Sequence, residues 1–192
     1  REFVAWYNGH PDASARPIEL PLDLSGERAV IVGNGNVALD VARILSTAPE
    51  QLARTDIADH ALAALRGSRI REVVILGRRG PLEAAFNNPE LEELAELGGV
   101  DVIVDRAQLP SRDDAIASGA DWTALRKLDT LHRYADTAPQ GRPRRIVLRF
   151  LESPVALLGG DRVQALRIQG NRLVTDASGQ RQAQPVGDAR EL

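Results

Sequence analysis

The sequence predicts an α/β fold: a Rossmann-like three-layer dinucleotide-binding domain with a parallel sheet, flanking helices and an added antiparallel β-meander. Three observations lead to this prediction. The β-branched run Arg28–Val32 ends in a glycine-rich turn that leads directly into an amphipathic helix. A second apolar run, Glu72–Leu76, also ends at a glycine. After Gly141 the pattern changes to short alternating runs, which are typical of antiparallel strands.

The glycine-rich turn has the G-x-G-x-x-G/A spacing of a dinucleotide-binding turn, supplied by Gly33, Gly35 and Ala38. Gly33 allows the tight turn, and Gly35, which lacks a Cβ, lets a pyrophosphate approach the backbone. Ala38 is small enough for close packing of the helix on the strand. The helix N-terminus then presents unpaired N–H groups and a partial positive charge to the phosphates. Strand, glycines and helix in this order predict a nucleotide site.

Two arginines, Arg78 and Arg79, follow the second strand. An NAD site usually places Asp or Glu there to accept hydrogen bonds from the ribose 2′-hydroxyl. A 2′-phosphate carries roughly −1.5 to −2 charge near neutral pH, and the guanidinium fork suits its oxygens. The pair therefore favours NADP(H) over NAD(H). The alternative is that both arginines are solvated charges on a loop.

The other predicted elements continue the alternation of helix and strand. The predicted helices lie at about Val37–Thr47, Thr55–Leu65, Leu82–Leu97 with a break near Asn87–Pro89, and Asp121–Tyr134. A third parallel strand is predicted at Val100–Val104. The predicted meander consists of Arg144–Leu151, Arg162–Ile168 and Arg172–Thr175.

Turn residues and polarity divide the chain into three segments. Residues 1–25 are predicted to be an interdomain linker, 26–179 the NADP(H)-binding domain, and 180–192 a polar exit linker. Trp6 and Tyr7 in the first segment fit either ordinary packing or a contact surface for another domain. The chain contains no Met, and we expect it to be cut from something larger.

The composition argues against several classes of function. The net charge of −3 gives no basic field for nucleic acid or an anionic membrane, and no apolar run of membrane-spanning length is present. The absence of Cys excludes disulfides, thiolate chemistry and iron–sulfur ligation within this chain. The three histidines, His10, His60 and His132, lack metal-type spacing, so no metal site is expected. A cytoplasmic location is expected.

Several segments resemble the adrenodoxin-reductase-like ferredoxin–NADP⁺ reductases. The segments Gly33–Leu45 and Gly77–Phe86 resemble that family's NADP-binding turn and 2′-phosphate segment. The segment Phe3–Asp12 resembles the passage from the family's FAD domain into its NADP domain, and Arg144–Pro154 resembles its meander. The similarity extends over nearly the whole chain.

The resemblance implies the NADP(H)-binding domain of a flavin-dependent reductase, which positions the nicotinamide for hydride exchange with FAD. FAD would be held by a domain absent from this sequence. The parent protein would exchange electrons with a ferredoxin-type iron–sulfur protein, and the fragment alone would catalyse little. The alternative is a stand-alone NADP(H)-binding or redox-sensing module without catalysis. A purely structural domain is disfavoured because strand, glycines, helix and arginines are all present.

The resemblance also implies which residues bind the cofactor. Backbone N–H groups of residues 34–37 would line the pyrophosphate and ribose, and the arginine pair would hold the 2′-phosphate. Glu90 matches a family acid near the nicotinamide ribose; alternatively it belongs to a solvated helix face. No catalytic residue is expected, because the hydride passes from nicotinamide to flavin. The predicted cofactor-binding residues are Gly33, Asn34, Gly35, Asn36, Val37, Arg78, Arg79 and Glu90.

Overall fold

A parallel sheet and an antiparallel sheet organise the computed structural model, which describes residues 2–10, 22–177 and 179–192. The parallel sheet has the order β1-β2-β4-β3, and every adjacent pair in it is parallel. Its strands are β1 (Arg28–Val32), β2 (Glu72–Leu76), β3 (Val100–Val104) and β4 (Arg144–Arg149). The antiparallel sheet contains β5 (Glu152–Leu158), β6 (Ala165–Thr175) and β7 (Arg181–Glu191) in chain order.

Helices and short 3₁₀ turns connect these strands. The helices are α1 (Glu2–Tyr7), α2 (Asn36–Ser46), α3 (Pro49–Leu52), α4 (Asp59–Arg66), α5 (Asn88–Glu92), α6 (Arg112–Ala117) and α7 (Trp122–Asp136). The 3₁₀ turns are Pro81–Glu83, Glu93–Glu96 and Arg106–Gln108. No helix in the described ranges is both long enough and apolar enough to span a membrane.

Strand β2 is buried along its whole length because a layer covers each of its faces. Val73 and Ile75 belong to the main core with helix α2. Val74 and Leu76 point the opposite way and pack with two residues of β6, Leu166 and Ile168. This alternation follows from the two-residue period of a strand. The three layers are therefore helices, parallel sheet and antiparallel sheet, and the Rossmann-like α/β prediction is confirmed.

The placement of β4 differs from the prediction. Arg144–Leu151 was expected to begin the antiparallel meander, but Arg144–Arg149 lies in the parallel sheet between β2 and β3. Ile146 and Leu148 alternate with partly exposed residues along the strand. Such alternation suits an antiparallel strand and a parallel one equally, so the pattern could not distinguish them. The meander instead starts at β5, after Leu151, whose φ is +56°.

The structure of the polar segment 180–192 also differs from the exit linker that was predicted. Most of it forms β7, an eleven-residue strand that pairs with β6 from Thr175 opposite Arg181 to Arg167 opposite Glu191. Main-chain hydrogen bonds supply this pairing, so a mostly exposed strand can be polar on both faces. Whether the segment leads toward another domain stays a prediction.

The N-terminal segment contains the short helix α1, which was not predicted. Trp6 on α1 is buried in the main core, and Tyr7 packs against the same core. The Tyr7 carbonyl accepts the Ala58 N–H at 2.9 Å, and the Trp6 carbonyl lies 2.8 Å from Nε2 of His60. Within the described residues these contacts agree with ordinary packing. Leu24, near the end of the predicted linker, is also buried in the main core. Residues 1 and 11–21 of that linker lie outside the described residues.

Helix boundaries were predicted less well than those of the parallel strands. In the meander, the separate strands predicted at Arg162–Ile168 and Arg172–Thr175 fall within or beside the single strand β6. The helix expected at Thr55–Leu65 is α4, preceded by the separate helix α3, which has Pro49 at its first position. The broken helix expected at Leu82–Leu97 is a 3₁₀ turn, α5 and a second 3₁₀ turn. Helix α6 was not predicted; Ser111 caps it by accepting the Asp114 N–H.

Candidate functional site

The glycine turn lies at the carboxyl end of β1, beside the carboxyl end of β2. Val32 is paired with Leu76, and the N–H of Gly33 donates to the Leu76 carbonyl at 2.8 Å. Gly33 has a φ of +113°, a conformation that side-chain-bearing residues rarely adopt. The turn thus departs from the sheet edge at a residue that must be glycine, and α2 begins three positions later.

Gly35 is the N-cap of α2 and does not need to be glycine for packing. Its φ of −100° is ordinary, and a Cβ built there would meet only the Cβ of Ala85, at 4.0 Å. No side chain caps this end of the helix, and its first turn contains no acidic residue. The first N–H groups of a helix lack intrahelical partners. An anion above Gly35 would meet open space and an uncapped helix N-terminus.

Asn34 holds the turn in place with its carbonyl, and its side-chain amide lies against Gly77. Its carbonyl oxygen accepts N–H groups from Ala85 and Phe86, each at 3.1 Å. Its Nδ2 is buried and has no hydrogen-bond partner, and a Cβ at Gly77 would collide with this amide. The glycine that ends β2 is therefore required by the Asn34 side chain. Asn34 was predicted as a backbone ligand, and that role stays a prediction.

Helix α7 contacts the segment 84–86, which contains the two residues bonded to the Asn34 carbonyl. Lys127 is buried, and its Nζ donates to the carbonyl of Ala84 and lies 5.3 Å from the centre of the Phe86 ring. Burial lowers the pKa of Lys127. Sequence reasoning missed this residue, because a lysine within a helix is ordinarily solvated.

Asn36 and Glu90 are brought together by the fold. Nδ2 of Asn36 donates to Oε1 of Glu90 at 3.1 Å, and Oδ1 of Asn36 accepts the Asn87 N–H at 2.7 Å. Glu90 lies in the first turn of α5 and Asn36 at the start of α2. Glu90 therefore lies beside the glycine turn, and its role as a cofactor ligand stays a prediction. Val37, in the same turn of α2, is 54% exposed.

The arginine pair has a fixed backbone and free side chains. The carbonyl of Arg79 accepts the Leu151 N–H at 3.1 Å, and that of Arg78 accepts Nδ2 of Asn171 at 3.0 Å. Asn171 is itself buried and bonded to Oγ of Ser153 at 2.8 Å. Both arginines are exposed, and neither guanidinium forms an ion pair with any residue in 2–10, 22–177 or 179–192. The antiparallel sheet thus holds two unpaired cations beside the glycine turn.

A cleft of about 580 Å³ opens beside the arginine pair. Strand β7 forms one wall of it, which sequence reasoning missed because the segment was taken for a linker. Nη1 of Arg181 on β7 donates to Oε1 of Glu83 at 2.7 Å. The residues that line the cleft are Arg78, Arg79, Glu83, Gln180, Arg181, Gln182 and Ala183.

The described residues of the site form no metal-binding cluster. Within the part of the chain that the structure describes, no three His, Asp or Glu side chains gather closely enough to hold a metal ion. The site consists of an uncapped helix N-terminus, open space at Gly35, free guanidinium groups and the Asn36–Glu90 pair. Such a site can bind an extended polyanionic ligand.

Curated proteins of similar sequence match the chain over its full length. It is 50% identical over 191 residues to the "NADPH-ferredoxin reductase FprA" of Mycobacterium tuberculosis and of Mycobacterium leprae. It is 41% identical over 203 residues to the mitochondrial "NADPH:adrenodoxin oxidoreductase" of Bos taurus. Each match covers 100% of this chain, and 41% of the mycobacterial proteins and 40% of the bovine one. The chain thus spans less than half the length of these relatives.

A solved structure gives the same correspondence. The structure titled "Mycobacterium tuberculosis FprA in complex with NADPH" superposes with a TM-score of 0.92 at 50% identity, covering 100% of this chain and 41% of that one. No protein-family model matches the chain. The sequence comparison and the structure comparison thus both match the whole of this chain to part of a longer protein.

Proposed function

The chain belongs to the adrenodoxin-reductase-like ferredoxin–NADP⁺ reductases, spanning about 41% of its mycobacterial relatives, and from this premise we propose that it is their NADP(H)-binding domain. Its role is to bind the nucleotide and position the nicotinamide for hydride exchange with FAD, which other parts of the full-length protein would hold. The observation that carries the proposal is the exposed guanidinium groups of Arg78 and Arg79, which have no ion-pair partner among the described residues and lie beside an uncapped helix N-terminus.

The residues present fit NADP(H) in three places. Gly35 leaves space in which a pyrophosphate can approach the first turn of α2. The 580 Å³ cleft offers Arg78 and Arg79 to a 2′-phosphate. Glu90, held by Asn36, presents a carboxylate beside the turn for the ribose or amide at the nicotinamide end. Bound NADPH would supply the hydride from C4 of its nicotinamide.

The chain's own contribution to the reaction is binding and orientation. The helix N-terminus and the arginines fix the two phosphate-bearing parts of the nucleotide, and a fixed nucleotide needs less ordering before hydride transfer. Glu90 has one carboxylate oxygen bonded to Asn36, so its other oxygen is available to a ligand. No residue of the site needs to gain or lose a proton for this role.

The partners and location of the whole protein are part of the same proposal. Relatives bearing the names ferredoxin reductase and adrenodoxin oxidoreductase support an electron carrier of the ferredoxin type, with an iron–sulfur centre. The cytoplasmic location expected from composition stays a prediction, and the bovine relative is named as mitochondrial. A stand-alone redox-sensing module is less favoured, since the chain matches one continuous part of longer reductases.

Calorimetric titration of this chain with 2′,5′-ADP and, separately, with 5′-AMP tests the proposal. The two ligands differ only in the 2′-phosphate, and neither needs a flavin. We expect 2′,5′-ADP to bind clearly and 5′-AMP far more weakly. Equal affinities would show that the arginines do not recognise the phosphate, and absence of binding by both would contradict the nucleotide site.

A further inference from the structure

Strand β7 brings a third arginine to the cleft beside Arg78 and Arg79. Thr175 of β6 pairs with Arg181 of β7, and Leu173 pairs with Ala183. Arg181 therefore shares a face of the antiparallel sheet with Asn171, which holds the Arg78 carbonyl. One sheet thus fixes the backbone of the arginine pair and also supplies another guanidinium to the same cleft.

Glu83 determines where the Arg181 side chain lies. It follows the arginine pair by a few residues, in the 3₁₀ turn Pro81–Glu83, and its Oε1 accepts Nη1 of Arg181 at 2.7 Å. The Glu83 side chain is only 15% exposed, while that of Arg181 is 37% exposed. The second oxygen of Glu83, Oε2, is buried without a hydrogen-bond partner. The carboxylate is thus a fixed anchor, and the arginine is the partner that reaches solvent.

The charges of the cleft suit a dianion. Three guanidinium groups face one carboxylate, so an excess of positive charge remains after the Glu83–Arg181 pair is formed. An arginine has five N–H donors in a planar fork, and Arg181 uses one nitrogen for Glu83. Donors remain for phosphate oxygens on the side of the fork away from the anchor.

We propose that Arg181 is a third ligand of the 2′-phosphate and that Glu83 is its positioning residue. The proposal rests on the proposed function, since both place a 2′-phosphate in this cleft. It makes the antiparallel sheet part of the nucleotide-selectivity site, with the specificity for NADP(H) divided between the turn after β2 and the strand β7.

Three variants of the chain test the proposal by titration with 2′,5′-ADP and 5′-AMP. Arg181→Gln removes the third cation, and Glu83→Gln removes the anchor's charge while leaving Arg181 in place. Arg172→Gln is the matched control, because Arg172 lies on the opposite face of β6, is exposed and forms no ion pair within the described residues. Thermal unfolding of each variant verifies that it is folded.

We expect Arg181→Gln to weaken 2′,5′-ADP binding about fivefold to tenfold and to leave 5′-AMP binding unchanged. Glu83→Gln should weaken 2′,5′-ADP binding less than Arg181→Gln does and leave 5′-AMP binding unchanged, because the ion pair that positions Arg181 is lost while the Gln amide oxygen can still accept from it. Arg172→Gln should match the parent chain. Arg181→Lys, which retains the charge, should bind 2′,5′-ADP more tightly than Arg181→Gln and covers the case in which the Gln variant does not fold.

Two outcomes would overturn the proposal. If the parent chain prefers 2′,5′-ADP and Arg181→Gln retains that preference in full, Arg181 is not a ligand and the proposed function stands. If Arg181→Gln and Glu83→Gln weaken the binding of 2′,5′-ADP and of 5′-AMP to the same extent, the ion pair only supports the fold. A parent chain without any preference for 2′,5′-ADP would instead refute the proposed function, and the third ligand with it.

Discussion

The side-chain amide of Asn36 bridges the two helix starts that border the glycine turn. It donates to Glu90 at 3.1 Å and accepts the Asn87 N–H at 2.7 Å. Glu90 is 54 positions away in sequence, so this contact links the start of α2 to that of α5. It fixes the orientation of the Glu90 carboxylate relative to the space above Gly35.

We expect Asn36→Ala to lower the free energy of unfolding by about 1–2 kcal/mol, because two hydrogen bonds are lost and the Asn87 N–H is left without its acceptor. Urea unfolding monitored by circular dichroism measures the change. Asn87→Ala is the control: the Asn87 side chain is exposed and makes no capping hydrogen bond, and its N–H is retained. Equal losses in the two variants would mean that the Asn36 bridge contributes nothing specific.

Removal of the arginine pair should affect NADP⁺ and leave NAD⁺ nearly unchanged. For Arg78→Ala with Arg79→Ala we expect a loss of about 2–4 kcal/mol in NADP⁺ binding free energy, from about 1.5–3 kcal/mol per charged hydrogen bond discounted for exposure. Calorimetric titration of both nucleotides measures it. Arg66→Ala with Arg69→Ala removes the same charge from two exposed arginines outside the cleft. A matching loss in this control would point to a general charge effect.

Gly35 and Gly77 should respond to alanine in opposite ways. Gly35→Ala has room for its Cβ, so we expect unchanged stability together with loss of nucleotide binding, since the methyl group occupies the space for the pyrophosphate. Gly77→Ala should lower stability by about 1–3 kcal/mol, because its Cβ displaces the buried Asn34 amide. Thermal unfolding and 2′,5′-ADP titration of both variants separate the two effects.

A second substitution tests whether the collision with Asn34 causes the loss of stability in Gly77→Ala. Adding Asn34→Ala to Gly77→Ala removes the colliding amide, and we expect the double variant to regain part of the lost stability. A double variant less stable than Gly77→Ala alone would show that the collision is not the cause.

Glu152 should make stability depend on pH in the acid range. Burial alone would raise its pKa, but hydrogen bonds from Arg149 and Arg190 outweigh burial and hold the pKa below its usual 4.5. The native state therefore binds this proton less readily than the unfolded chain does. The resulting stabilisation is present above pH 4.5 and is lost as pH falls through the lower, native pKa.

The pH dependence can be measured by urea unfolding at a series of pH values between neutral and about pH 3. We expect Glu152→Gln to be less stable at neutral pH, since Arg149 and Arg190 lose their counter-charge, and to lose less stability on acidification. Glu27→Gln, which replaces an exposed carboxylate without an ion pair in the described residues, should retain the parent pH dependence. Parallel curves for parent and Glu152→Gln would assign the acid sensitivity to other groups.

Local patterns in the sequence determined those features of this protein that depend on neighbouring residues. The glycine spacing, the apolar strands β1 and β2 and the Arg78–Arg79 pair were all readable, because each depends on residues close together along the chain. They predicted the Rossmann-like fold, which the structure confirms, and an NADP(H) site at one sheet edge, which stays a prediction. Glu90 was identified through the resemblance to a family; its own surroundings in sequence fit a solvated helix equally well.

Only the tertiary structure decided which distant segments meet. It inserted β4 between β2 and β3, paired the polar β7 with β6, joined Asn36 to Glu90 and brought Arg181 to the arginine cleft. A two-residue alternation suits parallel and antiparallel partners alike. A polar strand exposed on both faces has no hydrophobic pattern at all, because main-chain hydrogen bonds provide its pairing. Such contacts depend on the whole fold, and no local stretch of sequence encodes them.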